Sequence, residues 1–239
     1  MLTHNANARL VCFVASLTMG AGLLPAQDFQ LNARATWTQL SPASSPSARE
    51  DHRMAYDAAR GQVVLFGGFG SSGFLGDTWV WDGSNWTQKT PASSPPAREL
   101  HAMAYDAARG QVVLFGGYGS QAFGDTWVWD GSNWTQRTPA SSPPARYEHT
   151  MAYDAARGQV VLFGGAGNSN NGLLGDTWLW GGSNWRQTNL LKHPQPRREH
   201  AMAGDAANGQ VVLFGGFVCT TQGQCGIYQD TWVWDGTTR

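Results

Sequence analysis

The stretch His101–Gln136, HAMAYDAARGQVVLFGGYGSQAFGDTWVWDGSNWTQ, decides the fold, because most of the remaining chain is a near copy of it. The string GQVVLFGG stands unchanged at residues 61–68, 110–117, 158–165 and 209–216, so successive copies begin 49, 48 and 51 residues apart. A repeat of that length suffices for one four-stranded sheet. Such a sheet buries both faces only when further copies pack beside it.

Within the quoted copy each strand has its own pattern. His101-Ala102-Met103-Ala104-Tyr105 alternates large with small, which predicts a strand, a, with Ala102 and Ala104 turned toward a crowded neighbour. Asp106–Gly110 is a turn, and Val112–Phe115 is a continuously apolar strand, b, as covering on both faces requires. Gly116-Gly117 ends it where the backbone needs positive φ or close approach. Thr126–Trp129 forms strand c with two indoles on one face, and the hairpin turn Asp130–Asn133 leads to Trp134 in strand d. The tryptophan row reads as core between sheets.

The ends of the chain carry complementary parts of the repeat. Thr36-Trp37-Thr38-Gln39 matches strand d (Trp86-Thr87-Gln88, Trp134-Thr135-Gln136) without its first three strands, and DTWVWDG at Asp230–Gly236 ends at strand c. The expectation is an all-β propeller of four four-stranded blades, its ring closed by the N-terminal strand completing the last sheet, which leaves no bare edge. The alternative is a chain that stops short of a ring.

Composition narrows the function. The 239 residues include 30 glycines and 12 tryptophans with only 14% charged residues, as expected for an all-β chain with many tight turns. A net charge of −1 without a Lys/Arg run argues against nucleic acid or an anionic membrane surface as partner. His4 and Arg9 precede the uncharged apolar run Leu10–Leu24, and Pro25-Ala26 follows, so residues 1–26 read as a secretory signal peptide, 27–35 as a short lead and 36–239 as the repeat domain. Cys12 leaves with the signal. The remaining pair, Cys219 and Cys225, reads as a disulfide in a secreted or periplasmic protein with no membrane insertion after signal removal. Two cysteines are too few for a zinc site, and no cofactor is expected.

The double glycine after an apolar strand, followed by paired aromatics as in Gly116-Gly117 and Trp129 to Trp134, resembles the kelch repeat, which has a period of about fifty residues. The resemblance covers residues 36–239 and implies a β-propeller related to the galactose oxidase-like propellers. Kelch propellers usually have more than four blades, so the resemblance also admits a fragment of a larger kelch-type protein. Copper radical oxidases share such a propeller. Likeness to them would demand Tyr and His copper ligands and a cysteine-modified tyrosine, for which Cys225 and Tyr228 are near in sequence but would strand Cys219.

Antiparallel strands place the d-to-a and b-to-c connections on one rim and the a-to-b and c-to-d turns on the other. The second rim repeats DAARG and DGSN, whereas the b-to-c loops 69–76, 118–124, 166–175 and 217–229 all differ. Varied loops on a rigid scaffold suit recognition, which nominates Phe69, Phe74, Tyr118, Phe123, Asn170 and Tyr228 as binding residues. Arg49, Arg98, Arg146 and Arg197 each stand three residues before His52, His101, His149 and His200. Repetition in every copy favours structural pairing with Asp77, Asp125, Asp176 and Asp230 over an anion or metal site. No HExxH, GxSxG or phosphate-loop pattern is present. The expected function is therefore a non-catalytic scaffold for a protein or peptide, with a lectin-like propeller for a glycan as the alternative.

Overall fold

The computed structural model describes residues 36–168, 172–219 and 224–236. The signal peptide, the lead and Asn170 lie outside the described residues. The chain divides into two compact units, 1–40 and 41–239. Of the first unit, residues 36–40 form no strand, and Trp37 is 104% exposed.

The second unit is all-β among the described residues, and its strands follow the repeat. The first copy contains β1 (Arg49–Glu50), β2 (Arg53–Asp57), β3 (Gln62–Phe66), β4 (Phe69–Gly70), β5 (Gly73–Phe74), β6 (Thr78–Trp81) and β7 (Trp86–Lys89). The second contains β8 (Ala102–Asp106), β9 (Gln111–Phe115), β10 (Thr126–Trp129) and β11 (Trp134–Arg137). The third contains β12 (Thr150–Asp154), β13 (Gln159–Phe163), β14 (Thr177–Trp180) and β15 (Trp185–Gln187). The fourth contains β16 (Ala201–Asp205), β17 (Gln210–Phe214), β18 (Phe217–Cys219), β19 (Cys225–Ile227) and β20 (Thr231–Trp234).

Three antiparallel blades have the orders β2-β3-β6-β7, β8-β9-β10-β11 and β12-β13-β14-β15, while the fourth stops at β16-β17-β20. Two smaller sheets, β1-β4-β5 and β18-β19, arise where b-to-c loops fold back as hairpins, so there are six sheets rather than the expected four. Cys219 lies opposite Cys225 in β18-β19 and is disulfide-bonded to it.

Register assigns each blade two unlike faces. Trp127 lies opposite Leu114 and Trp129 opposite Val112, while Met103 and Tyr105 lie opposite the same two residues from the other side. Trp134, opposite Trp129, completes this leading face of large side chains. Ala102, Ala104, Val113, Phe115 and Val128 fall on the trailing face, where the small alanines leave room for a neighbour's indoles.

The leading faces of the second, third and fourth blades pack on the trailing face of the blade before. Met103, Leu114, Trp127, Trp129 and Trp134 bury against Val64, Phe66 and Val80, and Trp178, Trp180 and Trp185 bury against Ala104, Phe115 and Val128. Of the fully buried tryptophans among the described residues, Trp134 and Trp185 find an acceptor for the indole N–H across the junction, whereas Trp129 and Trp180 do not. Trp134 Nε1 donates to Thr78 Oγ1 and Trp185 Nε1 to Thr126 Oγ1, both at 2.9 Å. On the turn rim, the Ala59 and Ala108 N–H groups donate to the hydroxyls of Tyr105 and Tyr153 in the next blade, each at 2.9 Å. Arg60, Arg109 and Arg157 donate to the carbonyls of Gly110, Gly158 and Gly209, again one blade on.

The expected ring closure does not appear among the described residues. Successive a strands, β2, β8, β12 and β16, pack side by side, but β16 has no comparable packing with β2. The first blade's leading face stays partly open, with Met54 52% and Tyr56 58% exposed although Leu65 and Trp79 are buried, and so does the last blade's trailing face, with Phe214 54% and Val233 51% exposed. Among the described residues β20 pairs with β17 alone, and Trp37 keeps its indole in solvent.

Because Trp185 combines full burial with a satisfied donor, Trp185→Phe should cost about 1–2 kcal/mol through the lost hydrogen bond. Trp185→Ala should cost about 3–5 kcal/mol through the added cavity. Urea unfolding followed by tryptophan fluorescence measures both.

Candidate binding rim and axial cavity

Four arginines lock the loop rim. Arg98, Arg146 and Arg197 have fully buried side chains and make two-pronged bonds to Asp125, Asp176 and Asp230, with Nη1 to Oδ1 distances of 2.6, 2.7 and 2.5 Å. Arg49 pairs in the same way with Asp77 at 2.6 Å. Each Nη1 also donates to the carbonyl of the first glycine in the double glycine: Gly67, Gly116, Gly164 and Gly215. The carboxylates accept a further bond from Trp79, Trp127, Trp178 or Trp232 Nε1. One arginine therefore ties together the approach to strand a, the end of strand b and the start of strand c. The second glycine lets this crossing happen: a Cβ on Gly117, whose φ is 105°, would lie 2.7 Å from the Glu99 carbonyl oxygen.

His101, His149 and His200 lie beneath this rim, each edge-on to a phenylalanine of the preceding blade: Phe66, Phe115 and Phe163, at ring centroid distances of 5.7, 5.6 and 5.4 Å. Burial, reinforced by the arginine three residues back, holds His101 and His149 well below the usual imidazole range and lowers His200 to about 4. His52, on the open end, is lowered too, first by burial and then by Arg49. These neutral rings serve as packing groups. Among the described residues no cluster of three or more His, Cys, Asp or Glu is arranged to hold a metal ion.

The nominated loop aromatics separate into two groups. Phe123 lies under the Arg98 guanidinium at 4.1 Å and Tyr228 under that of Arg197 at 4.0 Å, so both brace the arginine pairs. Phe69, Phe74 and Tyr118 instead form a continuous edge-to-face row that Tyr147 extends, with centroid spacings of 5.3, 6.3 and 5.3 Å. The row crosses from the first blade's loop to the third, and Phe69 and Phe74 are exposed. Bridges hold it in place: Glu50 pairs with Phe69, Glu99 with Tyr118, and Tyr147 with Ala166.

One feature of this rim was not anticipated from sequence. Asp51, Leu100, Glu148 and Glu199 all occupy left-handed backbone, with φ of 53°, 55°, 56° and 57°. They are joined in series, the N–H of each donating to the carbonyl of its counterpart one blade earlier at 3.1, 2.9 and 3.1 Å. Non-glycine residues are held in that region only where their surroundings overdetermine it. Their side chains line a cavity of about 490 Å³ together with Arg53, His149, Thr150 and His200. Burial raises the Glu148 carboxyl, against the opposing effect of Arg198, which bonds it at 2.8 Å; Glu199 and Asp51 raise it further. The signal in the sequence is the residue directly before each repeated histidine, which is Asp, Leu, Glu and Glu in successive copies while the histidine stays fixed.

No family model and no characterised protein matches the chain in sequence. Cys225 Sγ is committed to its disulfide with Cys219 and has no valence left for a thioether to Tyr228.

Stability should fall in two stages on acidification. The lowered histidines take up protons first in the unfolded chain, so their contribution is complete above 6.5 and declines as pH drops toward their folded values. Asp77, Asp125 and Asp176 are lowered despite burial, which opposes ionisation, because Arg49, Arg98 and Arg146 bond them. Asp230 is lowered to about 2, chiefly by its bond from Arg197. The aspartate contribution is complete above 3.8 and is lost as pH falls through those depressed values. Urea midpoints measured across this range should show both declines. Asp125→Asn, which leaves Arg98 buried without its counter-charge, should cost about 3–5 kcal/mol at neutral pH in the same assay.

Proposed function

We propose that the chain is a secreted, kelch-type β-propeller module that binds a protein or peptide without catalysing a reaction. The observation that carries this reading is the aromatic row Phe69, Phe74, Tyr118 and Tyr147, which runs from the varied loops of the first two blades to the approach to the third. Aromatic side chains offer large contact area at small entropic cost, and the arginine clamps beneath keep the loops preorganised. The repeated blades support the kelch-type reading, and the disulfide supports an export compartment. Among the described residues no helix is long and apolar enough to cross a membrane.

The axial cavity favours a second reading, a polar ligand such as a glycan. Asp51, Glu148, Glu199 and Arg53 supply acceptors and donors for hydroxyl groups around one hollow.

A displayed random-peptide library and a glycan array, each probed with wild type and with Phe74→Ala/Tyr118→Ala, separate the two. The peptide reading expects selected peptides to bind at least about tenfold more weakly to the variant, with the urea midpoint little changed. Selection of glycans alone, with binding indifferent to the variant, would overturn it.

A further inference from the structure

We infer that the two open end faces dock on each other between chains, so that the first blade of one copy packs, head to tail, on the last blade of a second copy. The internal junctions supply the template. On the last blade Ala201, Ala203, Val212, Phe214 and Val233 repeat, residue for residue and in the same register, the trailing face Ala102, Ala104, Val113, Phe115 and Val128. In the second blade that face is buried under the third, with Phe115 fully inaccessible.

The first blade carries the matching half. Met54, Tyr56, Leu65, Trp79, Trp81 and Trp86 repeat the leading face Met103, Tyr105, Leu114, Trp127, Trp129 and Trp134; Met54 and Tyr56 are exposed and Trp81 and Trp86 half-buried, while Leu65 and Trp79 are already buried within the blade. Apolar faces of this kind are covered in stable folds, and here the surface that covers each one elsewhere in the molecule is also the surface left bare at the other end. The polar partners are present as well. Trp86 occupies the place from which Trp134 and Trp185 donate to Thr78 and Thr126, and the exposed Thr231 of a second copy offers the equivalent hydroxyl. Tyr56 likewise offers its hydroxyl to the Ala207 N–H, as Tyr105 does to Ala59.

One departure sets the strength of the contact. Asn208 stands where Arg60, Arg109 and Arg157 reach across to the next blade, and it bonds Asp205 within its own turn instead. The contact between copies therefore lacks the arginine clasp of the internal junctions, and it forms and breaks with concentration. It joins unlike surfaces, so copies associate in a closed pair or in longer rows.

Light scattering on wild type up to about 100 µM should show mass rising from one copy to two or more as concentration rises. Phe214→Asp and Tyr56→Asp each remove one half of the contact and should leave single copies. Both side chains are more than half exposed, so the variants should keep the wild-type circular dichroism. Should either fail to fold, Val233→Lys, also exposed, gives the same readout. Mixing the two single variants should restore a two-copy species, because each retains the face the other has lost; the double variant should restore nothing. Wild type that stays a single copy at about 100 µM overturns the inference, whether its end faces remain bare or close on each other within one chain. Folded variants that keep the wild-type mass overturn it equally.

Discussion

The second unit depends on one contact made three times, in which a sheet face carrying indoles, three in the second and third blades and two in the fourth, presses into the small and apolar face of the sheet before it. Neither face can be left in water cheaply, since each aromatic side chain buries on the order of 150–250 Å². A single blade would expose both faces and is not a stable object alone. Strand order, register and the alternation of small with large residues in the a strands all serve this junction. A one-residue slip in any b strand would exchange the two faces and spoil the contacts on both sides.

Polar groups fix the junction's geometry at both rims. On the turn side Tyr105 and Tyr153 receive N–H groups from the preceding blade, and Arg109 extends the other way to Gly158. On the loop side the arginine–aspartate pairs tie three segments of each blade to one another. Burying a guanidinium costs free energy that only good geometry returns, and here the bonds to aspartate and a glycine carbonyl meet that condition. The loops are thus held from beneath, and their side chains can vary without moving the scaffold.

Much of this architecture could be read from the sequence, because identity at fixed spacing is a signal that survives ignorance of register. The strands of the Val112–Phe115 and Thr126–Trp129 type lie where alternation and continuous apolarity place them. Ring closure was less accessible. A matching TWTQ motif shows that a segment has the pattern of a strand, but not that an edge stands near enough to pair with it. Aromaticity likewise could not tell Phe74, exposed in a row of rings, from Phe123, pressed beneath Arg98. That distinction depends on where the guanidinium lies, which no local pattern encodes. The left-handed backbone at Asp51, Leu100, Glu148 and Glu199 is not legible in the sequence, because Asp, Leu and Glu side chains carry no local preference that demands it.

The serial hydrogen bonds through those four positions run from blade to blade along the main chain. Each joins one blade to the next through main-chain atoms, so the seam persists through any side-chain replacement that keeps the N–H and accepts left-handed backbone. Substitutions at Leu100 or Glu148 can remodel the lining of the cavity while the seam persists. The chemistry of the cavity wall at these positions is thereby separated from the bonds that hold the blades in line.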